Sequence, residues 1–477
     1  MPPQLALLFG TLFVLFAFLY DRKHAVPVSK AVWWPTIWYL VVASRFFGSW
    51  LVLAGVPLPG GTGDPTDGST MDRSFFLTLT AIGLVVLARR RFEWGRACRD
   101  NPWLTALIAF MAVSILWSNY PFVSFKRFVK VIGSVVMAMV VLTDQQPRDA
   151  FLTVIRRGLY VHLPMSIVCV KYFRDIGVSY DWFGSQTMWQ GISTSKNVLG
   201  QVAMLGVVYF FWEVWRNWRE LKWRNLHILY LWMALYLLKG SPNSISLTSV
   251  SVTAFALAVF LGLQYLRHRP DLAQRFVTTV FWAVTGLVVL VLIHSVVMFS
   301  EDSFFGQIIT KFGRSITLTD RTFIWHDCYA AVDNPLLGVG FGAFWIGRMV
   351  NIPWDANLTW VLGESHNGYV ETYLQMGLVG GFLLAGVLFS TLPKLRASLA
   401  QDWDFGCFRL ALFLTIMLIN ITESTYIRGD HHLWLILMMV IWKVPQAPTV
   451  TASGTIEAEA VIETEGEAPA GGLGQLA

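Results

Sequence analysis

Apolar runs recur along this chain at 4–20, 32–55, 74–88, 102–119, 122–142, 151–172, 197–215, 226–240, 245–266, 276–299, 368–391, 407–421 and 432–445. A helix needs about 20 apolar residues to cross a bilayer. The pattern therefore predicts an all-α integral membrane protein, a polytopic bundle of about 12–13 transmembrane helices. The stretches 74–88, 226–240 and 432–445 are short by that measure, which leaves re-entrant or differently bounded helices open. One long polar connection, 300–367, separates the tenth run from the eleventh and is expected to carry short helices. Residues 1–445 thus read as a membrane domain. Residues 446–477, with five Glu, no basic residue and much Ala, Gly and Thr, read as a disordered acidic tail.

Composition supports lipid as the solvent: 55% of residues are hydrophobic, 14% are charged, and the mean hydropathy is +0.54. The net charge of +6 would suit nucleic acid, but the basic residues gather in alternate connections. Arg22, Lys23 and Lys30 follow the first run, Arg89 to Arg91 the third, Arg216 and Arg219 the seventh, Arg267 and Arg269 the ninth, Lys394 and Arg396 the eleventh. By the positive-inside rule these connections face the cytoplasm, as does the tail, and the 300–367 loop faces outward. Nucleic acid is set aside as a partner. Cys98, Cys169, Cys328 and Cys407 are too scattered for a zinc site or a disulfide framework. The first run has no basic residues before it and no small-residue cleavage site after it, so it reads as a retained helix.

On the outward side the same register collects Arg127, Lys130, Lys196, Arg321 and Arg428, together with Glu364, His366, Glu371, Glu423, Asp430, His431 and His432. Single cations there can simply snorkel to lipid phosphates. Gathered together, they suit an anionic headgroup such as a diphosphate, because guanidinium offers two-pronged hydrogen bonding. Arg127 lies inside an apolar run, where an uncompensated charge is costly, and is expected to face a polar cavity with Lys130 on the same helix face. Thr319 and Asp320 read as the start of a helix on which Arg321 and Trp325 share a face, ended by Asn334-Pro335. A helix lying on the membrane is the alternative there. Gly338-Val339-Gly340-Phe341-Gly342 permits a tight turn and is weak as a phosphate signature. His366 can take a proton near neutrality or merely cap the helix that follows.

Asp320-Arg321-Thr322, Trp325, Asn334-Pro335-Leu336-Leu337-Gly338-Val339-Gly340 and Ser365-His366-Asn367-Gly368-Tyr369, in this order, resemble the O-antigen ligase and polysaccharide polymerase family. Lys196 and Asn197 resemble that family's Lys-Asn segment, although Ser195 stands where His is usual. Ser241-Pro242-Asn243-Ser244 departs from the family's Ser-Arg pairing. Asn420-Ile421-Thr422-Glu423-Ser424 resembles the exopolysaccharide polymerase branch.

The resemblance implies inverting transfer of an undecaprenyl-diphosphate-linked oligosaccharide to an acceptor glycan, on the periplasmic face of the bacterial inner membrane and without a cofactor. In this reading His366 is the general base, and Arg321, Lys196, Arg127 and Arg428 hold the diphosphate. Glu423, Glu364, Asn367, Asn197 and Trp325 support them. No metal is expected, since no carboxylate pair stands out in the chain. Further partners would be the lipid bilayer, a chain-length regulator and export machinery. Two alternatives stay open: a ligase that transfers the glycan to lipid A core, and a transporter of lipid-linked glycan without chemistry.

Overall fold

The structure, a computed structural model, describes residues 1–58, 68–180, 186–241, 245–300, 303, 306–307, 321–346 and 363–443. Arg314, Asp320, Arg348, the Thr319–Asp320 helix start and the acidic tail lie outside the described residues. Each apolar run contains helix. In order these are α1 (Pro3–His24), α2 (Trp33–Ala43), α3 (Phe47–Leu53), α4 (Thr70–Arg89), α5 (Trp94–Asp100), α6 (Pro102–Val113), α7 (Pro121–Leu142) and α8 (Pro147–Tyr172). They continue with α9 (Arg174–Gly177), α10 (Lys196–Arg216), α11 (Leu221–Lys239), α12 (Leu247–Tyr265), α13 (Pro270–Val297), α14 (Arg321–Ala330), α15 (Gly368–Gln401), α16 (Trp403–Ile419) and α17 (His432–Ile441). Proline opens α1, α6, α7, α8 and α13, where its missing N–H costs no helical bond. The chain is an all-α polytopic membrane protein. The described sheet is a single antiparallel pair, β1 (Val178–Tyr180) with β2 (Thr187–Trp189).

Six helices are long and apolar enough to cross a membrane unaided, or eight if each of two bent pairs is one span. The second apolar run is such a pair, broken by 68° between Ala43 and Phe47. The fourth is the other, meeting α5 at 109°. The third and eighth runs, short in sequence, extend to 20 and 19 helical residues because polar first and last turns still continue the helix. The thirteenth shortens to 10 residues, about 15 Å of helix, less than a full crossing.

Side-chain bonds sort the connections into two sets. At one end of the bundle Arg90 joins Asp144 at 3.0 Å and Ser29 at 2.8 Å, Arg267 joins Asp404 at 3.3 Å, and Arg148 pairs with Asp402. Asn101 bonds both Lys394 and the Lys443 backbone there. These are the connections after odd-numbered runs. At the other end Thr187 meets Ser241, Thr248 meets Thr422 and Ser295 meets Tyr329. These follow even-numbered runs. Connections after odd-numbered runs thus bond with one another, and the motif-bearing connections bond among themselves.

Helix α15 is broken at Gly377, whose φ of 61° takes it out of the helix. The break frees backbone groups, and the 334–340 loop uses them: Leu378 N–H donates to Pro335 O, Val379 N–H to Leu336 O, and Val339 and Gly340 N–H donate to Leu374 and Gln375 O. A Cβ on Gly338 would lie 2.6 Å from that helix's backbone. The glycines of 338–342 therefore serve close backbone approach, not an anion cradle.

Candidate active site at the motif end

Glu423 is the hub of the motif end. Its Oε1 accepts from Asn197 Nδ2 at 2.9 Å and from Arg321 Nη2 at 3.2 Å, while Oε2 lies 3.9 Å from His366 Nδ1. Glu364 forms a second hub, with Oε1 3.2 Å from His366 Nδ1 and Oε2 paired with Arg428. His366 Nδ1 lies near both carboxylates but off the line of a directed hydrogen bond, so its contacts are those of an ion pair. Lys196, first residue of α10 behind the Ser195 cap, stands within electrostatic reach of Glu423 and Arg321.

Local structure fixes these groups. Asn367 caps α15: its Oδ1 accepts from Tyr369 and Val370 N–H, and its own N–H donates to Ser424 Oγ. That leaves His366 at φ 52°, in the left-handed region a non-glycine residue enters at a cost. Gly368 is needed beside it, because a Cβ there would meet Asn420 Oδ1 at 1.9 Å. Asn420 in turn holds Thr425 and Tyr426 N–H, shaping the turn that delivers Glu423 and Arg428. Trp325 is fully buried and donates from Nε1 to Ser365 O at 2.8 Å. Helix α14 therefore docks on α13 and α15 with Ile324, Trp325 and Cys328 inward, and the alternative of a helix lying on the membrane is set aside. Arg321 rides the same face one turn earlier, as its spacing from Trp325 predicts.

Arg127 and Lys130 line a small cavity of about 70 Å³ with Glu364, Glu371, Arg428 and Asp430. Arg127 donates to Gly342 O at 2.6 Å. The cations thus form two groups: Arg321 and Lys196 around Glu423, and Arg127 and Arg428 beside Glu364. Glu371, one of the candidate acids, and Gln375, which the sequence reading did not single out, tie the loops to α15: Glu371 accepts from Trp345 Nε1, Gln375 Nε2 and Ser365 N–H, and Gln375 Oε1 accepts from Gly342 N–H. The signal for Gln375 was its place four residues after Glu371 within an apolar run.

Charge sets the resting protonation. Burial works against ionising Glu364, but the Arg428 guanidinium and His366 outweigh it and hold the carboxyl at about 2. Burial also opposes the His366 imidazolium, yet the two glutamates raise it to about 9. Burial keeps the neighbouring His431 neutral, down to about 3, with Arg428 adding to the effect. One expectation needs correction. Glu364, His366 and Glu423 place one ligand atom each within 4.8 Å of one another, a carboxylate pair that could hold a metal ion. A separation of 59 positions between the two glutamates hid it, and only the docking of 420–424 against 364–368 creates it. Arg321 and Arg428 already occupy both carboxylates, so the charge a cation would supply is present without one.

Near this polar cluster in the chain lies an apolar cavity of about 810 Å³ between α13, α14, α15 and α16, lined by Val288, Leu292, Leu384 and Met417 together with His326, Tyr369 and Tyr373. Tyr369 is three residues from His366, so the two sites are contiguous along the chain.

Residues 243–385 match a family model described as O-antigen ligase. The exopolysaccharide production protein ExoQ of Rhizobium meliloti (strain 1021) is 25% identical over 312 residues, 63% of this chain and 67% of the relative.

Proposed function

We propose, from the match of residues 243–385 to the O-antigen ligase model and the likeness to an exopolysaccharide production protein, that this chain transfers an undecaprenyl-diphosphate-linked oligosaccharide to an acceptor glycan at the periplasmic face of the inner membrane, polymerising exopolysaccharide repeat units. The observation that carries this reading is the convergence of His366, two carboxylates and two arginines, with an apolar cavity near them in the chain. An amphiphile with a long apolar tail and an anionic head fits that pairing.

In the proposed reaction an acceptor hydroxyl oxygen bonds to the anomeric carbon from the face opposite the diphosphate. The sugar–oxygen bond breaks, its electron pair leaves with the diphosphate, and the anomeric centre inverts. Arg321, Lys196, Arg127 and Arg428 stabilise the developing charge. Because Arg321 and Arg428 rest on carboxylates, donor binding is an exchange of one anionic partner for another. His366 takes the hydroxyl proton, with Glu364 and Glu423 orienting it, and no metal takes part. With His366 raised to about 9, about one molecule in a hundred carries a neutral imidazole at pH 7. That favours a second reading of the proton transfer, in which the imidazolium adds to the cationic set and Glu423 accepts the proton.

Purified protein reconstituted in bilayers and given undecaprenyl-diphosphate-linked repeat units, without nucleotide, is expected to yield a ladder of lengthening products. His366→Ala is expected to remain folded and yield none. Transfer only to a lipid A core acceptor would replace the polymerase with a ligase. Movement of the lipid-linked glycan across the bilayer without new glycosidic bonds would replace the enzyme with a transporter.

A further inference from the structure

At the opposite end of the bundle the last turn of α1, residues 25–30 and the middle of α8 enclose a second cavity of about 670 Å³. Its charged lining is Arg22, Lys30, Arg156 and Arg157 against one carboxylate, Asp21. Asp21 is 2% exposed and holds both inner arginines: Arg156 Nε lies 2.6 Å from Oδ1 and Arg157 Nε 3.4 Å from Oδ2. Each guanidinium also lies over an aromatic ring, Arg157 at 4.3 Å from the Trp33 centroid and Arg156 at 5.7 Å from that of Trp223. Stacking and a shared carboxylate fix both planes while leaving donor edges for another acceptor. Glu213, on the far wall of an adjoining cavity, is engaged by Arg216 and Asn217.

The remaining walls are apolar: Leu15, Phe18, Leu19 and Trp33. Leu15, Leu19 and Trp33 are exposed, and α1 is among the helices long and apolar enough to cross a membrane. A ligand that fits here has an anionic head for the guanidiniums and an apolar body for α1. We propose that this cavity binds an anionic phospholipid of the surrounding bilayer by its phosphate, between α1 and α8. The basic loops alone would attract anionic lipid diffusely; a concave site with fixed guanidiniums selects one molecule.

Native mass spectrometry of the full chain, loaded with equal amounts of phosphatidylglycerol and phosphatidylcholine of the same chains, tests this. One phosphatidylglycerol should be retained in preference. Arg22→Gln and Lys30→Gln, at the exposed rim and outside the proposed catalytic end, should each reduce retention about fivefold and together about twenty-five-fold, without changing thermal unfolding. Trp33→Leu should reduce it while leaving every charge in place. Equal retention of the two lipids, or retention unaffected by all three variants, would overturn the site. Displacement by glycerol 3-phosphate at concentrations comparable to the lipid would overturn the lipid assignment, because the acyl chains would then contribute nothing.

Discussion

The two ends of the bundle use the same ionic groups in different arrangements. At the basic end, apart from the Asp21 pair of arginines in the second cavity, the ion pairs are distributed: Arg90–Asp144, Arg148–Asp402 and Arg267–Asp404 each tie one helix terminus to another. At the motif end they converge: Glu423 gathers Asn197, Arg321 and His366 from three distant segments, and Glu364 gathers His366 and Arg428. A distributed pair at the surface contributes little to stability and can be lost one at a time. A shared carboxylate is different, since removing it leaves several partly buried donors without a partner at once. Convergence is therefore the mark of a site, and the difference between the ends is testable.

The largest effect should come from the hub. Glu423→Ala is expected to lower polymer formation by about a hundredfold or more, because Arg321 and Asn197 lose their anchor and His366 loses one of its two carboxylates. The matched change at the other end, Asp402→Ala, breaks a half-exposed pair with Arg148 and should leave activity within about twofold. Initial rates on the reconstituted variants, with thermal unfolding as the control, measure both. Equal losses would mean that convergence does not distinguish the ends.

A smaller effect, about tenfold per pH unit, separates the two readings of proton transfer. If neutral His366 is the base, the rate climbs from pH 6 and levels off near 9, where the glutamates have moved the ring. If the imidazolium is the working form, the rate is flat up to about 8 and falls beyond 9. Glu423→Gln removes one of the charges raising the ring, so the inflection of its residual activity should move to lower pH. The sign for folding follows from the same shift: a ring at 6.5 unfolded and about 9 folded stabilises the protein fully below 6.5, and that contribution is lost as pH rises through 9.

Much of this site is visible in the chain before it folds. His366 and Arg321 stand out as polar residues in the long connection between the tenth and eleventh apolar runs. The four-residue step to Trp325 places that ring and the guanidinium on one helix face, and apolar runs place the helices. What the chain conceals is pairing across long separations. Arg321 and Glu423 are 102 residues apart, Asn197 and Glu423 226, and Arg127 and Gly342 215. No local rule joins such positions, and the residues that do join them are inconspicuous. Asn420 and Asn367 spend their side chains on backbone turns, and Gly377 breaks a helix so that a loop can add its hydrogen bonds. Glycines 338–342 invite a phosphate-loop reading, yet Gly338 lies against the backbone of α15 and Gly340 against that of Ser118.

The smallest expected effect concerns metal. Two carboxylates and an imidazole within 4.8 Å would suit a divalent cation if they stood alone. Here the Arg321 guanidinium sits on one carboxylate and the Arg428 guanidinium on the other, and a cation entering among them would meet two positive charges at close range. Arginine in both positions supplies permanent charge and bidentate geometry for a diphosphate, which is what a metal supplies in many other phosphoryl-binding sites. Rates measured after exhaustive chelation should therefore stay within about twofold of those with added magnesium or manganese. The informative variant is Arg428→Ala, which vacates one carboxylate. If that variant becomes stimulated by a divalent cation while the unaltered protein does not, the arginines hold the place of a metal. If the unaltered protein itself loses activity on chelation and regains it with metal, the convergent end is a metal site after all, and the arginines serve only to position its ligands.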